Sequence, residues 1–420
     1  MHLHGCRITG AEHVSRMYEL LWMLLPVAAA GGWLAGRRNA IANGPDRFWN
    51  DATTYHRDLH SLLNETGAEA APDDTLALGS PVSVEQDAAE THIALGNMFR
   101  RRGDLDSAIR IHASLTRKNQ LGEDVRSEAQ LELARDYDSA GLLDRSETQF
   151  RALLKANRQV DASYEHLLQI NERASDWQRA IETADEFQNR TGRKLGSRIA
   201  HYYCEIAEGL IAARKASEPT AVKTAGGTED AERWLQNALK RDPACARANI
   251  GLAQLAVSEK NFSEAIELYE RVEQHRPELM PEIISPLFES LEQLDDETRL
   301  RAYIDRIKGR LNAYSVIKTT RNMIERLDGE SAADKFFKDQ IVKRPSLKGL
   351  RDWARGQLEK SRPNERGKVG VMCDMLDQVV KDKPGYVCSE CGFRGQTLHW
   401  RCPGCNRWDS VHTVIGAEGE

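Results

Sequence analysis

The residues of this chain that could do chemistry are concentrated near its carboxyl end. Cys388 and Cys391 form one C-x2-C pair, and Cys402 and Cys405 form a second pair ten residues further on. Two residues between cysteines let the chain turn back, so that both thiolates of a pair reach one ion. Four thiolates in a tetrahedral arrangement suit Zn²⁺ or iron, and the cysteine set alone does not separate these metals. The spacing therefore predicts one metal ion bound by these four cysteines.

The remaining cysteines are scattered through the chain, at Cys6, Cys204, Cys245 and Cys373. A secreted protein held together by disulfides would distribute its cysteines across the whole fold, so this pattern favours a reducing compartment. No Ser/His/Asp arrangement, phosphate-binding loop or pair of carboxylates at helical spacing stands out. We therefore predict no catalytic residues and a protein that is not an enzyme.

The cysteine-rich segment resembles a rubredoxin-type pair of metal knuckles, and this resemblance favours iron, with zinc as the alternative. The unit is truncated, with Phe393, Trp400 and Trp408 as its expected packing residues. A domain this small, residues 383–420, cannot bury enough surface on its own. We therefore expect the metal, together with docking onto the last helices through the two tryptophans, to stabilise it.

The middle of the chain repeats a pattern of two amphipathic runs separated by a turn. The second run of each repeat carries a small residue at a fixed position: Ala108, Ser146, Ala180, Ala231 and Ala265. Ser146 and Ala180 are 34 residues apart, and so are Ala231 and Ala265. This resembles the tetratricopeptide repeat, in which small side chains let paired helices approach closely. We predict an all-α superhelical solenoid over residues 89–382, with a generic helical bundle as the alternative.

Polar residues on the first helix of each repeat are candidates for a concave binding face. They are mixed in charge, which suits an extended peptide or a protein surface better than a small apolar ligand. Any one of them could equally belong to a solvated face. The candidates are Asn97, Arg100, Arg135, Asp138, Gln169 and Gln254.

The amino-terminal part contains a predicted transmembrane anchor, residues 17–37. Its apolar run of 19 residues would span about 28 Å as a helix, close to the thickness of the hydrocarbon core. Arg37 and Arg38 follow the run and place the bulk of the chain in the cytoplasm. A cleaved signal peptide, a buried soluble helix and a re-entrant segment are the alternatives. Residues 1–16 are interpreted as an extension, with Met17 as an alternative start, and residues 38–88 as a linker and a degenerate first repeat.

Composition limits the remaining classes of function. The chain has 420 residues, of which 29% are charged, with a formal net charge of −6. This charge content excludes a protein with many membrane spans. The slight acidity argues against a dedicated nucleic-acid binder, which usually has a strongly basic face.

The combination of anchor, repeats and metal knuckles resembles the lipopolysaccharide assembly protein B family of Gram-negative bacteria, from Met17 onward. The anchor, LGNMFRRRGDLDSAIRIH and CGFRGQTLHWRCPGCNRW carry the resemblance. It implies a bacterial inner-membrane scaffold that faces the cytoplasm and regulates lipopolysaccharide synthesis. It also implies partners: a membrane ATP-dependent protease, the lipid A deacetylase of the committed step, and transport proteins. A homodimer is an open alternative for assembly, and electron transfer by an iron centre is the alternative function.

Overall fold

A computed structural model describes residues 82–216, 226–360, 362, 366–417 and 419. The predicted extension and anchor, with most of the linker after them, lie outside these residues. The described residues form two compact units that divide between Leu153 and Leu154. Among the described helices, none is long and apolar enough to cross a membrane.

The first unit is built from helical hairpins that bury apolar residues between them. Its helices are α1 (Val82–Arg102), α2 (Leu105–Arg117), α3 (Glu123–Ser139) and α4 (Leu143–Lys155), the last of which runs across the division. The first helix packs against the second and the third. One buried cluster consists of Ala89, Ile93, Leu115, Leu121, Val125 and Ala129, and Ile111, Leu133 and Phe150 are buried as well.

The second unit continues the helical hairpins and ends in a small sheet. Its helices are α5 (Val160–Arg173), α6 (Trp177–Thr191), α7 (Gly196–Ala216), α8 (Gly226–Arg241), α9 (Ala246–Ser258), α10 (Phe262–His275), α11 (Met280–Gln293), α12 (Glu297–Ile307), α13 (Tyr314–Asp328), α14 (Glu330–Lys343), α15 (Leu347–Lys360) and α16 (Arg366–Lys381). A 3-10 turn, Pro277–Leu279, precedes α11. The strands are β1 (Tyr386–Cys388), β2 (Arg394–Gly395) and β3 (Val411–Thr413). One large hydrophobic core runs from Ala200 to Phe337.

The turns inside the hairpins share one local design. The second helix of four hairpins begins after an Asp or Asn whose side chain accepts the backbone N–H three residues further on, and this caps the helix. The capping residues are Asp104, Asp176, Asn261 and Asp296. The residue before each cap has a positive φ, between 53° and 85°, which reverses the chain. Short polar turns in the sequence therefore determine where each second helix starts.

The small residues at fixed positions are all fully buried. Ala108, Ser146, Ala180, Ala231 and Ala265 have no exposed surface, and the Ser146 hydroxyl donates to the Ala134 carbonyl at 2.8 Å. Each lies where its helix packs against a neighbour, as expected for the close approach of paired helices. The predicted all-α repeat fold is confirmed over the described residues.

Gly96 in α1 is required for the close approach of α2. A Cβ atom at this position would overlap the imidazole ring of His112. That ring is fully buried and contacts the Ile93 carbonyl and the Asp136 carboxylate. We expect Gly96→Ala to destabilise the protein by about 1–3 kcal/mol, because overpacking outweighs the better helix propensity of alanine.

A matched glycine provides the control for this prediction. Gly209 lies in α7, is exposed, and a Cβ there would meet no atom within 4 Å. Gly209→Ala should stabilise the protein by roughly 1 kcal/mol. Denaturant unfolding followed by helical circular dichroism measures both effects. Equal shifts in the two variants would contradict the proposed role of Gly96.

Candidate metal centre and its docking surface

The cysteine segment is organised by a three-stranded antiparallel sheet. The strand order is β2-β1-β3, with Tyr386 opposite both Gly395 and Thr413. Cys388 is the last residue of β1 and lies opposite Val411. The sheet therefore fixes the position of Cys388. The other three cysteines lie outside the strands, in the turns that follow.

The two C-x2-C pairs fold into matching knuckles. Gly392 donates its N–H to the Cys388 carbonyl at 3.0 Å, and Asn406 donates to the Cys402 carbonyl at 2.8 Å. Both donors lie four residues after the first cysteine of their pair, and both have positive φ, 74° and 58°. Gly392 directly follows the first cysteine pair and Asn406 directly follows the second. Asn is the commonest non-glycine residue in this backbone conformation, so its position was the available signal.

The four sulfur atoms lie at the corners of a compact cluster. The distance from Cys388 Sγ to Cys405 Sγ is 3.7 Å, that from Cys391 Sγ to Cys402 Sγ is 3.6 Å, and all four lie within 4.8 Å of one another. A tetrahedron of sulfurs around an ion with bonds of about 2.3 Å has edges of about 3.8 Å. The donor type and the spacing therefore fit one tetrahedrally bound metal ion. Both Zn²⁺ and iron suit such a site.

The electrostatics of the cluster also favour a cation. The Ser410 hydroxyl, 3.4 Å from the sulfur, and two backbone N–H groups lower the pKa of Cys388 to about 6. For Cys391, the N–H of Phe393 lowers the pKa, but desolvation and the three neighbouring thiols raise it to about 12. Four thiols this close cannot all be ionised unless a positive charge lies among them.

The cysteine-containing segment, residues 383–420, is called the metal unit below. It docks onto the repeats through a buried carboxylate, Glu172 of α5. Its side chain is only 2% exposed. Trp408 Nε1 donates to it at 3.0 Å, and Arg401 pairs with it at 3.1 Å. From the repeats, Arg198 pairs with it at 2.9 Å and the Tyr202 hydroxyl donates at 2.6 Å. The repeats and the metal unit therefore share the Glu172 carboxylate as an acceptor. It has all four of these partners only when the metal unit is docked on the repeats.

The Trp408 ring packs into an aromatic pocket on α6 and α7. It stacks on His201, with ring centroids 4.9 Å apart and planes at 18°. It meets Trp177 and Tyr202 edge-on, at 6.2 and 5.9 Å. The guanidinium of Arg247 lies 6.0 Å from the ring centroid. Because of the ring quadrupole, offset and edge-on arrangements of aromatic rings are favourable, and a cation near the ring face adds to them. Trp408 is therefore the main anchor of the docking surface.

Asp409, the next residue, forms a second polar contact with the repeats. Its carboxylate accepts from His201 Nε2 at 2.8 Å and from the Ser197 hydroxyl at 3.4 Å, and Arg276 lies 3.7 Å away. Burial raises the pKa of Asp409, but these partners lower it below its usual range. The carboxylate is therefore ionised at neutral pH and pairs with the repeats.

The expectation that the metal unit docks onto the last helices through its tryptophans is wrong, although the end of the unit does contact one of those helices: the Leu347 N–H at the start of α15 donates to the Ala417 carbonyl at 2.9 Å. Trp400 and Trp408 do make the contact, but their partners lie on helices in the middle of the repeats. Glu278 and Glu282 extend this surface, since they accept from the Thr413 and Tyr386 hydroxyls. The physical reason is that a buried carboxylate and an aromatic pocket occur there. Those partners look like ordinary polar helix residues in the sequence.

The candidate binding residues of the repeats have two kinds of surroundings. Asn97, Arg100 and Arg135 form a hydrogen-bonded network with the carboxylates of Glu132 and Asp136. Arg100 therefore links α1 to α3, while Asn97 and Arg135 each bond to a member of this network on their own helix. Gln169 and Gln254 are exposed, and Asp138 is half-buried.

Known protein families match the repeats and the metal unit separately. Residues 386–413 match the family described as the rubredoxin metal binding domain. Residues 91–123, 131–193 and 221–278 match tetratricopeptide repeat families. The fold and the site therefore define a tetratricopeptide-repeat protein with a carboxyl-terminal cysteine cluster suited to a metal ion.

Relatives of matching length identify the family. The chain is 31% identical over 409 residues to lipopolysaccharide assembly protein B of Escherichia coli strain K12, which covers 96% of this chain and 100% of that protein. The protein of the same name from Haemophilus influenzae is 29% identical over 410 residues, with the same coverage. The chain belongs to the lipopolysaccharide assembly protein B family.

Solved structures show weaker likeness. A tetratricopeptide repeat protein from Parabacteroides merdae is 14% identical and covers 60% of this chain and 91% of its own, with a TM-score of 0.30. A MamA structure is 16% identical and covers 49% of this chain and 96% of its own, with a TM-score of 0.26.

Proposed function

We propose that this protein is a membrane-tethered scaffold that brings protein partners together in lipopolysaccharide assembly. The observation that carries the proposal is the similarity, along nearly the whole chain, to relatives named for lipopolysaccharide assembly. Helical repeats present extended surfaces suited to protein partners. A scaffold needs no catalytic residues, in agreement with the prediction that the chain is not an enzyme.

The finer proposal concerns the reaction that the scaffold controls. It promotes degradation of the committed-step lipid A deacetylase by a membrane ATP-dependent protease, and it couples synthesis to transport. Because the docked metal unit occupies Glu172, partners would bind beside it. Exposed Gln169, on the same helix, supports a surface formed jointly by α5 and the metal unit.

The metal ion is proposed to have a structural role. Cys388, Cys391, Cys402 and Cys405 are assigned as its ligands, on the tetrahedral spacing of their sulfur atoms. The ion would hold the two knuckles in the arrangement that presents Arg401 and Trp408 to the repeats. The resemblance to rubredoxin favours iron, and zinc would hold the same geometry.

The location is proposed from the amino-terminal sequence. Residues 17–37 would anchor the chain in the bacterial inner membrane, with residues 38–420 in the cytoplasm. Tethering would raise the effective concentration of the scaffold near membrane-bound partners. The reducing cytoplasm also suits a cluster of metal-binding thiolates.

Complementation in a Gram-negative host that lacks its own family member tests this function. We expect the deacetylase to accumulate in that host and the full chain to restore its normal level. A variant without residues 1–38, at matched expression, should restore much less, because it no longer concentrates at the membrane.

The control replaces residues 17–37 with an unrelated single-span helix of the same orientation, which should restore the deacetylase level. Failure of the full chain to lower that level would contradict the proposed function. Full activity of the untethered variant would contradict the role of the anchor.

A further inference from the structure

The outer face of α16 exposes an apolar stripe. Val371 is 60% exposed, Met375 64% and Val379 48%, and Met372 beside them is 40% exposed. The first three are spaced by four residues and lie on one side of the helix. A soluble surface rarely leaves so many large apolar side chains together on one helix, so this stripe indicates an interface.

The opposite face of α16 packs against its own chain. Cys373 and Val380 are buried, and Asp377 pairs with Arg355 of α15 at 2.7 Å. These contacts hold the helix in place and orient the stripe outward. The stripe is therefore a fixed feature of the folded hairpin.

Charged residues flank the stripe symmetrically. Lys368 lies seven residues before Met375, and Asp382 lies seven residues after it. Both are exposed. Seven residues are close to two helical turns, so Lys368 lies on the face of the stripe, and Asp382 directly follows Lys381, the last residue of the helix, at its carboxyl-terminal end. The stripe therefore begins with a positive charge and ends with a negative one, and Met375 lies at its centre.

We propose that this face binds the same face of a second copy of the chain, with the two helices antiparallel about a two-fold axis at Met375. Val371 then lies opposite Val379 of the second copy, and Lys368 lies opposite Asp382, at both ends. A parallel arrangement would place like charges side by side. The antiparallel pair is isologous, which is the commonest symmetry of protein dimers.

The size of the stripe determines the strength of the interface. Four apolar side chains per copy make a small interface, which is typical of reversible association. Methionine adapts its shape to a facing surface, and this suits a contact that forms and dissociates. Dimerisation should therefore depend on protein concentration, and tethering of both copies to one membrane would favour it.

Sedimentation of the full chain in detergent, over a range of concentrations, tests the interface. Met375→Glu places two like charges at the axis and should raise the dimer dissociation constant at least about tenfold. Met375→Leu should keep the dimer. Val342→Glu, at a 75% exposed apolar residue on α14, is the matched control and should have no effect. A chain that is monomeric at every concentration, or equal behaviour of the two Glu variants, would overturn the proposal.

A charge-reversal mixture tests the antiparallel register. Lys368→Glu alone and Asp382→Lys alone each place like charges together at both ends and should weaken self-association. Mixing the two proteins pairs opposite charges at both ends, so the mixed dimer should form more readily than either homodimer. A mixture that associates no better than the separate variants would overturn the register and with it the proposed pairing.

Discussion

Replacing Cys388 or Cys405 with serine is expected to remove the bound metal and to unfold the metal unit. The hydrophobic cluster of this unit is small, and its buried members are Cys388, Cys402 and Val411. Metal binding must therefore supply most of its folding free energy. Elemental analysis should show a fall from about one ion per chain to nearly none. Hydrogen exchange should show lost protection over residues 386–413.

A cysteine outside the cluster provides the control. Cys373 is buried in α16 and lies outside the group of four sulfurs. Cys373→Ser should leave the metal content unchanged, whatever its effect on helix packing. Full metal content in the Cys388→Ser and Cys405→Ser proteins would sink the assignment of the ligands.

Exchange of the metal separates a structural role from electron transfer. If the ion only holds the knuckles together, protein loaded with zinc and protein loaded with iron should bind partners equally well. The electron-transfer alternative requires iron, because Zn²⁺ has no redox chemistry. Activity with iron alone would therefore favour that alternative.

Metal affinity should rise with pH. Although the Phe393 N–H lowers the pKa of Cys391, desolvation and the neighbouring thiols raise it to about 12, so this thiol is protonated at neutral pH before the metal binds. Binding must displace that proton, and lowering the pH opposes this step. Competition with a chelator at several pH values measures the dependence.

The sequence was sufficient for the local architecture. The 34-residue spacing located the small residues that are fully buried between helices, such as Ala180 and Ala265. The C-x2-C spacing identified the four sulfurs that the structure brings together. Both patterns depend on neighbours within one hairpin, where sequence spacing determines distance in space.

The docking surface could not be predicted in the same way. Glu172 lies 236 residues before Trp408, and no local pattern links them. In the sequence, Glu172 and Arg198 have the types expected of a solvated helix face. They are buried or nearly so because the metal unit packs over them. Long-range burial of this kind depends on the completed fold.

Replacing Glu172 with glutamine is expected to release the metal unit from the repeats while the metal stays bound. The change removes the charge that pairs with Arg198 and Arg401, and both guanidinium groups are left partly buried. Breaking a buried ion pair costs about 3–5 kcal/mol. Hydrogen exchange should become faster in residues 398–412, with metal content unchanged.

Glu165→Gln is the matched control for the release of the metal unit. Glu165 lies on the same helix as Glu172 and also pairs with Arg198, at 2.8 Å, but its partners Arg193 and Arg198 both belong to the repeats.

The Trp408 variants separate the two components of the anchor. Trp408→Phe removes the hydrogen bond to Glu172, which contributes about 1 kcal/mol or somewhat more because the acceptor is charged, and shortens the ring while it keeps an aromatic group in the pocket. Trp408→Ala also empties the aromatic pocket and should release the unit as fully as Glu172→Gln. If Glu172→Gln and Glu165→Gln gave the same exchange rates, the buried carboxylate would not be what holds the two elements together.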